Sequence, residues 1–498
     1  MSDYLFQYRG IDPTTWVYLS SLLLVGLFFK FGRLWSVRNL DLILLILLGP
    51  GLLMVHHGQS EQGRLLQTAQ AQQQIEAAAS DPSTDEDANT EAVDAEAVDE
   101  TASRDEAANN AAVATPALAP NLDSKPDAKA GESTSPNTTE DTGEGVAAEW
   151  IKLEVWGFIY LLGVGGLVLT RLLLDPMMVR RPLLEPNLSR GGLMFIGISL
   201  YIFLMANVIS EPELAVSDDA ADYRIARVAA ASKQGPGYEL LNVLPTGLSK
   251  AFCIGGQLLI VVGIVLISFW HFRNTFMGIG AATLYLMLPY TSMLTGRIEH
   301  ILPAATLVWA VLMYRRPLVA GSLIGLASGL VYYPFFLLPL WISFYWHRGF
   351  RRFLTAYVVT LSSLIVVLSI FSPNGLVEDL SRMTGFRTPA MEGLGGIWNV
   401  DAGGLHPSYR LPVLVAFIAM SISMALWPAQ KNLGTLLSCT AAIMMASQFW
   451  HGYGGGTYMA WYLPLMLLMI FRPNLEDRVA VSVLGEGWFP KRRLAKAA

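Results

Sequence analysis

Charged residues are scarce in this sequence, and cysteines scarcer still. Asp, Glu, Lys and Arg make up 15% of the 498 residues, where a soluble chain carries about 25%. With 53% hydrophobic residues and a mean hydropathy of +0.42, that deficit excludes an ordinary soluble globule and implies a membrane protein. Cys253 and Cys439 each sit inside an apolar run, without CxxC spacing or Cys/His clustering, so neither a disulfide framework nor a zinc site is indicated. Phosphate-loop spacing is missing, and no stripe of interleaved basic and aromatic residues suggests nucleic acid. Residues 1–16 are polar and lack a cleavage site, so the first apolar run reads as an anchor and not as a removable signal peptide.

The net charge of −6 conceals two opposite parts. Residues 81–145 hold 17 Asp and Glu against Arg104, Lys125 and Lys129, which leaves the rest of the chain at +8. The segment 58–148 is rich in Ala, Asp, Glu, Thr, Ser, Pro and Asn. Such a composition cannot bury enough apolar surface to offset the entropy of ordering, so a long disordered acidic insert is expected there. A solvated linker accounts for it more simply than an ion-buffering arm.

About 20 apolar residues are needed to cross a bilayer. Thirteen windows read as crossings, at about 14–29, 39–56, 151–173, 191–209, 249–270, 275–294, 299–314, 317–332, 335–347, 352–371, 411–427, 433–450 and 457–471. The positive-inside rule supports the alternation. Lys30, Arg33 and Arg38 mark the first cytoplasmic loop, and Arg171, Arg180, Arg181 and Arg190 the second. His271 with Arg273, then Arg315 with Arg316, then Arg348, Arg351 and Arg352, and then Lys431 follow at alternate loops. The run from Arg315 to Gly349 must cross twice for this to hold. As one helix of roughly thirty residues it would be about 45 Å long, against a hydrocarbon core of about 30 Å, and Pro334 supplies the break.

The fold expected is an all-α polytopic integral membrane protein with about thirteen transmembrane helices. Residues 1–57 form two helices, 58–148 the acidic segment, 149–190 a third helix with a basic loop, 191–472 a helical core with external loops 210–248 and 372–410, and 473–498 a basic tail. The N-terminus and acidic insert are external and the C-terminus cytoplasmic, in an inner (plasma) membrane.

Polar chemistry gathers on the external side. Asp218, Asp219 and Asp222 open a short helical stretch, where helix capping explains them as well as catalysis does. At the mouth of the seventh window stand Arg297, Glu299 and His300. A carboxylate beside an imidazole at a low-dielectric boundary can act as a general base; interfacial anchoring is the competing account. The stretch "WNVDAGGLHPSYR" contributes Asp401, His406 and Arg410, and "FWHGYGGGTYMAWYLP" contributes His451 and Tyr458 among Trp450, Tyr453 and Trp461. Aromatic rings pack on sugar faces, but they also form interfacial belts. Arg382, Arg387 and Arg410 are external arginines suited to an anionic lipid head group.

The run "GRIEHILPAATLVWAVLMYRRPLVAGSLIGLASGLVYYPFFLLPLWISF" resembles the multi-pass GT-C glycosyltransferases, especially bacterial polyprenol-phosphate-mannose-dependent mannosyltransferases, through Gly296 and the AGSLIGLASGL segment. The closing "TYMAWYLPLML" looks like that family's last external turn and span, while the break at Tyr333-Pro334 lacks the lysine expected before it. The resemblance implies a GT-C-like core over about 191–472 and transfer of a sugar from a polyprenyl-phosphate donor to an acceptor on the external face. It further implies a carboxylate base among Asp218, Asp219 and Asp222, with Glu299 as runner-up, and a phosphate held by Arg297, Arg382, Arg387 and Arg410. His300, Tyr333, Asp401, His406, His451 and Tyr458 complete the substrate-binding candidates. The partners are membrane lipid and the lipid-linked sugar, no nucleic acid is expected, and neither a cofactor nor a set of metal ligands is indicated. The rival readings are a transporter, which needs ionisable residues near the bilayer midplane and is disfavoured because the charges of this sequence sit at the ends of its apolar windows, and a non-catalytic membrane scaffold.

Overall fold

Apolar runs punctuated by proline and asparagine decide where the helices of this chain begin and end. A computed structural model describes residues 12–80, 140–178, 184–210, 236–242, 245–371, 394–429 and 431–473. The chain divides into two units, residues 1–67 with 147–498, and residues 68–146. In the second, residues 68–80 and 140–146 are helical; the disorder expected over 58–148 therefore does not hold at its two ends, where 58–80 and 140–148 continue α-helices, and residues 81–139 lie outside the described residues.

The described residues form helices, with no strand among them. In chain order they are α1 (Pro13–Phe28), α2 (Val37–Ser80), α3 (Glu140–Leu174), α4 (Arg190–Ser210), α5 (Pro236–Asn242), α6 (Thr246–Ile267), α7 (Thr275–Met287), α8 (Pro289–Met293), α9 (Ile298–Leu312), α10 (Pro317–Leu330), α11 (Leu338–Tyr345), α12 (Phe350–Phe371), α13 (Arg410–Leu426), α14 (Leu433–Trp450) and α15 (Leu463–Phe471). Local chemistry sets the starts. Asp12 accepts from the Thr15 N–H at 3.0 Å with Pro13 at the first helical position of α1, and Asn432 with Thr435 forms a capping box on α14.

Each of the thirteen apolar windows falls on helix. Seven helices are long and apolar enough to cross a membrane: Val37–Leu65, Ala148–Met177, Arg190–Ser210, Gly247–Phe272, Phe350–Ile370, Pro407–Leu426 and Leu433–Trp450. The others are shorter, and the backbone breaks at two places among them, one between the windows 317–332 and 335–347 and one inside 275–294. The break expected at Pro334 is present: α10 ends at Leu330, Val331 is extended, and a 3-10 turn spans Tyr333–Leu337 before α11. A second break, which the window 275–294 did not reveal, falls at extended Leu288, where Pro289 starts the short α8. Proline removes a backbone donor and disfavours the α conformation in the residue before it.

Burial sorts the helices. Only 22% of the apolar window is buried in α4, α12 and α13, whereas 94% is buried in α14. The three former helices turn wide apolar faces outward, as lipid-facing helices do, and α14 is the central post. Close approach between helices is made by glycine. On the α2–α3 pair, Gly58 lies against the Glu154 backbone and Gly157 against that of Val55. On α10, Gly321, Gly325 and Gly329 recur every fourth residue and face Phe353, Tyr357 and Leu364 of α12.

The basic ends of the helices are tied together by a buried charge network. Arg171 on α3 grips Asp41 of α2 in a two-point contact, Nε to Oδ1 at 2.7 Å and Nη2 to Oδ2 at 3.0 Å. Its Nη1 reaches Asp175 Oδ1 at 3.2 Å, and Arg472, just past α15, bonds the other oxygen of Asp175 at 3.0 Å. Asp41, Arg171 and Asp175 are all buried. Sequence reading treated Arg171 as a marker of a basic loop; the structure makes it the centre of an internal ion cluster.

Candidate functional site

The polar residues expected at the mouth of α9 meet those of the glycine-rich turn after α14. His300 lies in the first turn of α9, on the face that also buries Ala304, Val308 and Val311. Its Nδ1 is 2.7 Å from the hydroxyl of Tyr290, which the Leu288 break delivers on α8. The His300 ring stacks on Tyr458 at a centroid distance of 4.5 Å. Tyr458 in turn contacts His451 at 4.7 Å and stacks on Trp461 at 4.5 Å. Tyr333, from the 3-10 turn after α10, closes the group through His451 at 5.3 Å, Trp461 at 5.4 Å and Trp450 at 5.3 Å.

The turn that carries His451 and Tyr458 is held by two side chains at the end of α14. The backbone N–H groups of Tyr453 and Gly454 both donate to His451 Nδ1, at 3.3 Å each. A nitrogen that accepts carries no proton, so the ring proton of neutral His451 is on Nε2, which makes that atom a donor. Gln448 Oε1 accepts from the N–H groups of Gly456, at 3.2 Å, and Tyr458, at 3.3 Å. Gly456 has φ +104°, a conformation that favours glycine. Gln448→Leu strips the acceptor from two buried donors, at a cost of about 1–3 kcal/mol for each. Thermal unfolding of the detergent-solubilised chain checks this, and an unchanged midpoint would show that the turn does not depend on Gln448.

Arg410 and one loop complete the cluster. Arg410 opens α13, is buried, and donates from Nε to the Trp450 carbonyl at 3.1 Å. The loop before it is pinned over the turn: the Gly395 N–H donates to Gly452 O at 3.0 Å, and Trp398 Nε1 donates to His451 O at 3.0 Å. Trp461 Nε1 donates to the backbone carbonyl of Glu299 at 3.0 Å, joining the α9 mouth to the same group. His300, Tyr333, Arg410, His451, Tyr458 and Trp461 are each 5% exposed or less. The group is therefore closed and close-packed, not an open cleft.

Its depth follows from its neighbours. The Cα of Gly456 faces Leu161 of α3, and Gly396 lies beside Phe158. The helix runs on from Leu161 to Ala148 in one direction, about 20 Å, and to Arg171 in the other, about 15 Å, at 1.5 Å per residue. On the other side, Ile301 abuts Gly256, ten residues into α6, about 15 Å from that helix's start. The cluster is thus recessed well below the ends of α3 and α6, rather than standing level with them as a site at the membrane surface would.

The remaining candidates stand elsewhere. Arg297 is exposed at the start of α9, and Glu299 is half-buried beside His300. Asp401 is exposed in the 3-10 turn Val400–Ala402, and His406 is exposed with Nδ1 2.6 Å from Ser408 Oγ. Asp218, Asp219, Asp222, Arg382 and Arg387 lie outside the described residues. Among the described residues no three His, Cys, Asp or Glu side chains converge as a metal site requires. Sequence reasoning missed Tyr290 and Gln448. The signals for them were a tyrosine straight after the proline of a helix break, and a lone amide three residues before His451 in an apolar helix. No protein-family model, no curated protein and no solved structure matches this chain.

Proposed function

We propose that the chain is a multi-pass membrane glycosyltransferase of GT-C type, with about thirteen crossings, that transfers a sugar from a polyprenyl-phosphate donor to an acceptor hydroxyl on the external face. In this reading the N-terminus and acidic insert are external and the C-terminus is cytoplasmic. The observation that supports it is the convergence of His300, Tyr333, His451, Tyr458 and Arg410 from four separate stretches of chain. The closed cluster must part for the donor to enter; aromatic faces then suit a sugar ring, a buried guanidinium suits a phosphate, and a fixed Nε2–H of His451 suits an oxygen that gains negative charge. In the reaction a carboxylate takes the acceptor proton, the acceptor oxygen bonds to the anomeric carbon, and the bond to the phosphate breaks, releasing polyprenyl phosphate. Glu299 is the base that adjoins the cluster; Asp218, Asp219 and Asp222 are its rivals. The "AGSLIGLASGL" run, which carries the sequence resemblance, gives no such support, because its glycines serve helix packing.

A transporter is the second reading, favoured by the breaks at Leu288 and Val331 and by the recessed imidazoles, since interrupted helices and midplane ionisable groups mark transport sites. Both readings are tested with the full chain in lipid nanodiscs and proteoliposomes, using a radiolabelled polyprenyl-phosphate hexose. Transfer predicts release of polyprenyl phosphate, cut by about 10²–10³-fold in Arg410→Gln. Wild-type protein that neither binds nor turns over the donor would falsify the glycosyltransferase reading, and solute uptake by proteoliposomes without turnover would establish the transporter. Full transfer by Glu299→Gln would move the base to the three aspartates.

A further inference from the structure

The connection between α1 and α2 is rigid, yet it turns its largest apolar side chains outward. Its backbone is committed to internal bonds. The amide nitrogen of Asn39, which is fully buried, donates to the carbonyls of Lys30 at 3.0 Å, Arg33 at 2.9 Å and Leu34 at 3.4 Å. The Lys30 N–H returns a bond to Asn39 Oδ1 at 3.3 Å. Asn187 takes up the last carbonyls of α1, with its N–H on Leu27 O at 2.7 Å and its side chain on Gly26 O and Phe29 O at 3.1 and 3.2 Å. Arg38 donates to Phe28 O and Glu185 O at 2.9 Å each. Carbonyls at a helix end that are normally left to water are here bonded by protein.

Against that scaffold, Phe31 is 68% exposed, Leu34 55% and Trp35 101%. Phe29 and Phe31 meet edge to face at 5.2 Å, so the outward set continues from the helix surface. Lys30 and Arg33 are exposed in the same loop. The loop ends at Val37, the first residue of a helix long enough to cross a membrane, so it lies at the membrane boundary. Tryptophan and phenylalanine beside cations at that level match a phospholipid interface, with rings at the head-group and acyl boundary and cations on phosphate. The Arg33 fork can grip a phosphate at two points, and Lys30, whose Nζ bonds Asn187 Oδ1 at 2.7 Å, retains two further N–H donors. Glu185 is exposed and its charge acts on Arg38 at the base of the loop.

We propose that the Phe31–Trp35 loop is a preorganised docking point for anionic phospholipid, with Phe31, Leu34 and Trp35 entering the acyl boundary and Arg33 and Lys30 holding the head-group phosphate. This site stands apart from the glycosyl-transfer reading and does not depend on it. The test uses the full chain purified in detergent, with native mass spectrometry of bound lipid and thermal unfolding in phosphatidylglycerol or phosphatidylcholine at equal mole fraction. The wild-type chain retains phosphatidylglycerol preferentially and unfolds later in it. Arg33→Gln weakens that preference about fivefold, and Arg33→Gln with Trp35→Ser brings it close to parity while the phosphatidylcholine midpoint stays unchanged. Equal retention of both lipids by wild type overturns the proposal, as does a double variant that keeps the full preference. Inorganic phosphate reproducing the stabilisation would mean a free-anion site, and cross-linking of Trp35→Cys to protein rather than lipid would mean a protein partner; either result also overturns it.

Discussion

Gly321→Leu prevents α10 and α12 from assembling, and the chain is recovered aggregated or in low yield. A Cβ at Gly321 would collide with the backbone carbonyl of Phe353, and one at Gly325 would lie 2.8 Å from that of Tyr357. Neither carbonyl can move without shifting the whole of α12, so substitution at either site costs about 3 kcal/mol or more, at the upper end for overpacking. Gly329 differs, because its neighbour is the Leu364 side chain, which can change rotamer. Gly329→Ala therefore costs less, about 1–2 kcal/mol. The order is the discriminating result, read by size-exclusion profile and thermal midpoint in detergent. Equal effects at Gly321 and Gly329 would show that the helices are not seated backbone to backbone along this face.

Arg171→Met has the second large effect. Removal of the guanidinium takes from buried Asp41 and Asp175 the cation that bridges them, while the bond from Arg472 to Asp175 remains. Breaking a buried pair from one side costs about 3–5 kcal/mol, whereas replacing all partners by apolar groups is often neutral. Combining Arg171→Met with Asp41→Leu and Asp175→Asn should recover most of the lost stability. A triple variant no more stable than Arg171→Met alone would mean that the network's geometry, and not its charge balance, holds α2 and α3 together.

The helices were readable because their cause is local. Apolar runs, prolines and the alternation of basic loops depend on neighbours in sequence, and all thirteen windows and the Pro334 break reflect them. The Leu288 break escaped because no charged residue interrupts residues 275–290, so hydropathy alone reads straight through it. The ion cluster escaped for another reason. Asp41 and Arg171 are 130 residues apart, and Asp175 and Arg472 are 297 apart. A charge at a helix end looks the same in sequence whether it faces water or a partner.

The candidate site was legible by residue type but not by position. His300, Tyr333, Arg410, His451 and Tyr458 were singled out as polar or aromatic residues at helix ends, and they do meet. Asp401 and His406 were chosen on the same grounds and stay at the surface, because the loop folds back on itself through the Leu405 N–H and Ile397 O at 2.7 Å. The recessed depth was not visible, since it depends on which part of α3 lies beside the glycine turn.

The Asp41–Arg171–Asp175–Arg472 network also sets an order of events during synthesis. Asp41 precedes its arginine by 130 residues, which is roughly 6–26 s at 5–20 residues per second. Asp175 forms its contact with Arg472 only after a further 297 residues, roughly 15–60 s later. The α2–α3 hairpin is therefore an early product of biogenesis, and the bond to Arg472 is a late latch. That latch closes only once α15 has left the ribosome and reached the bundle.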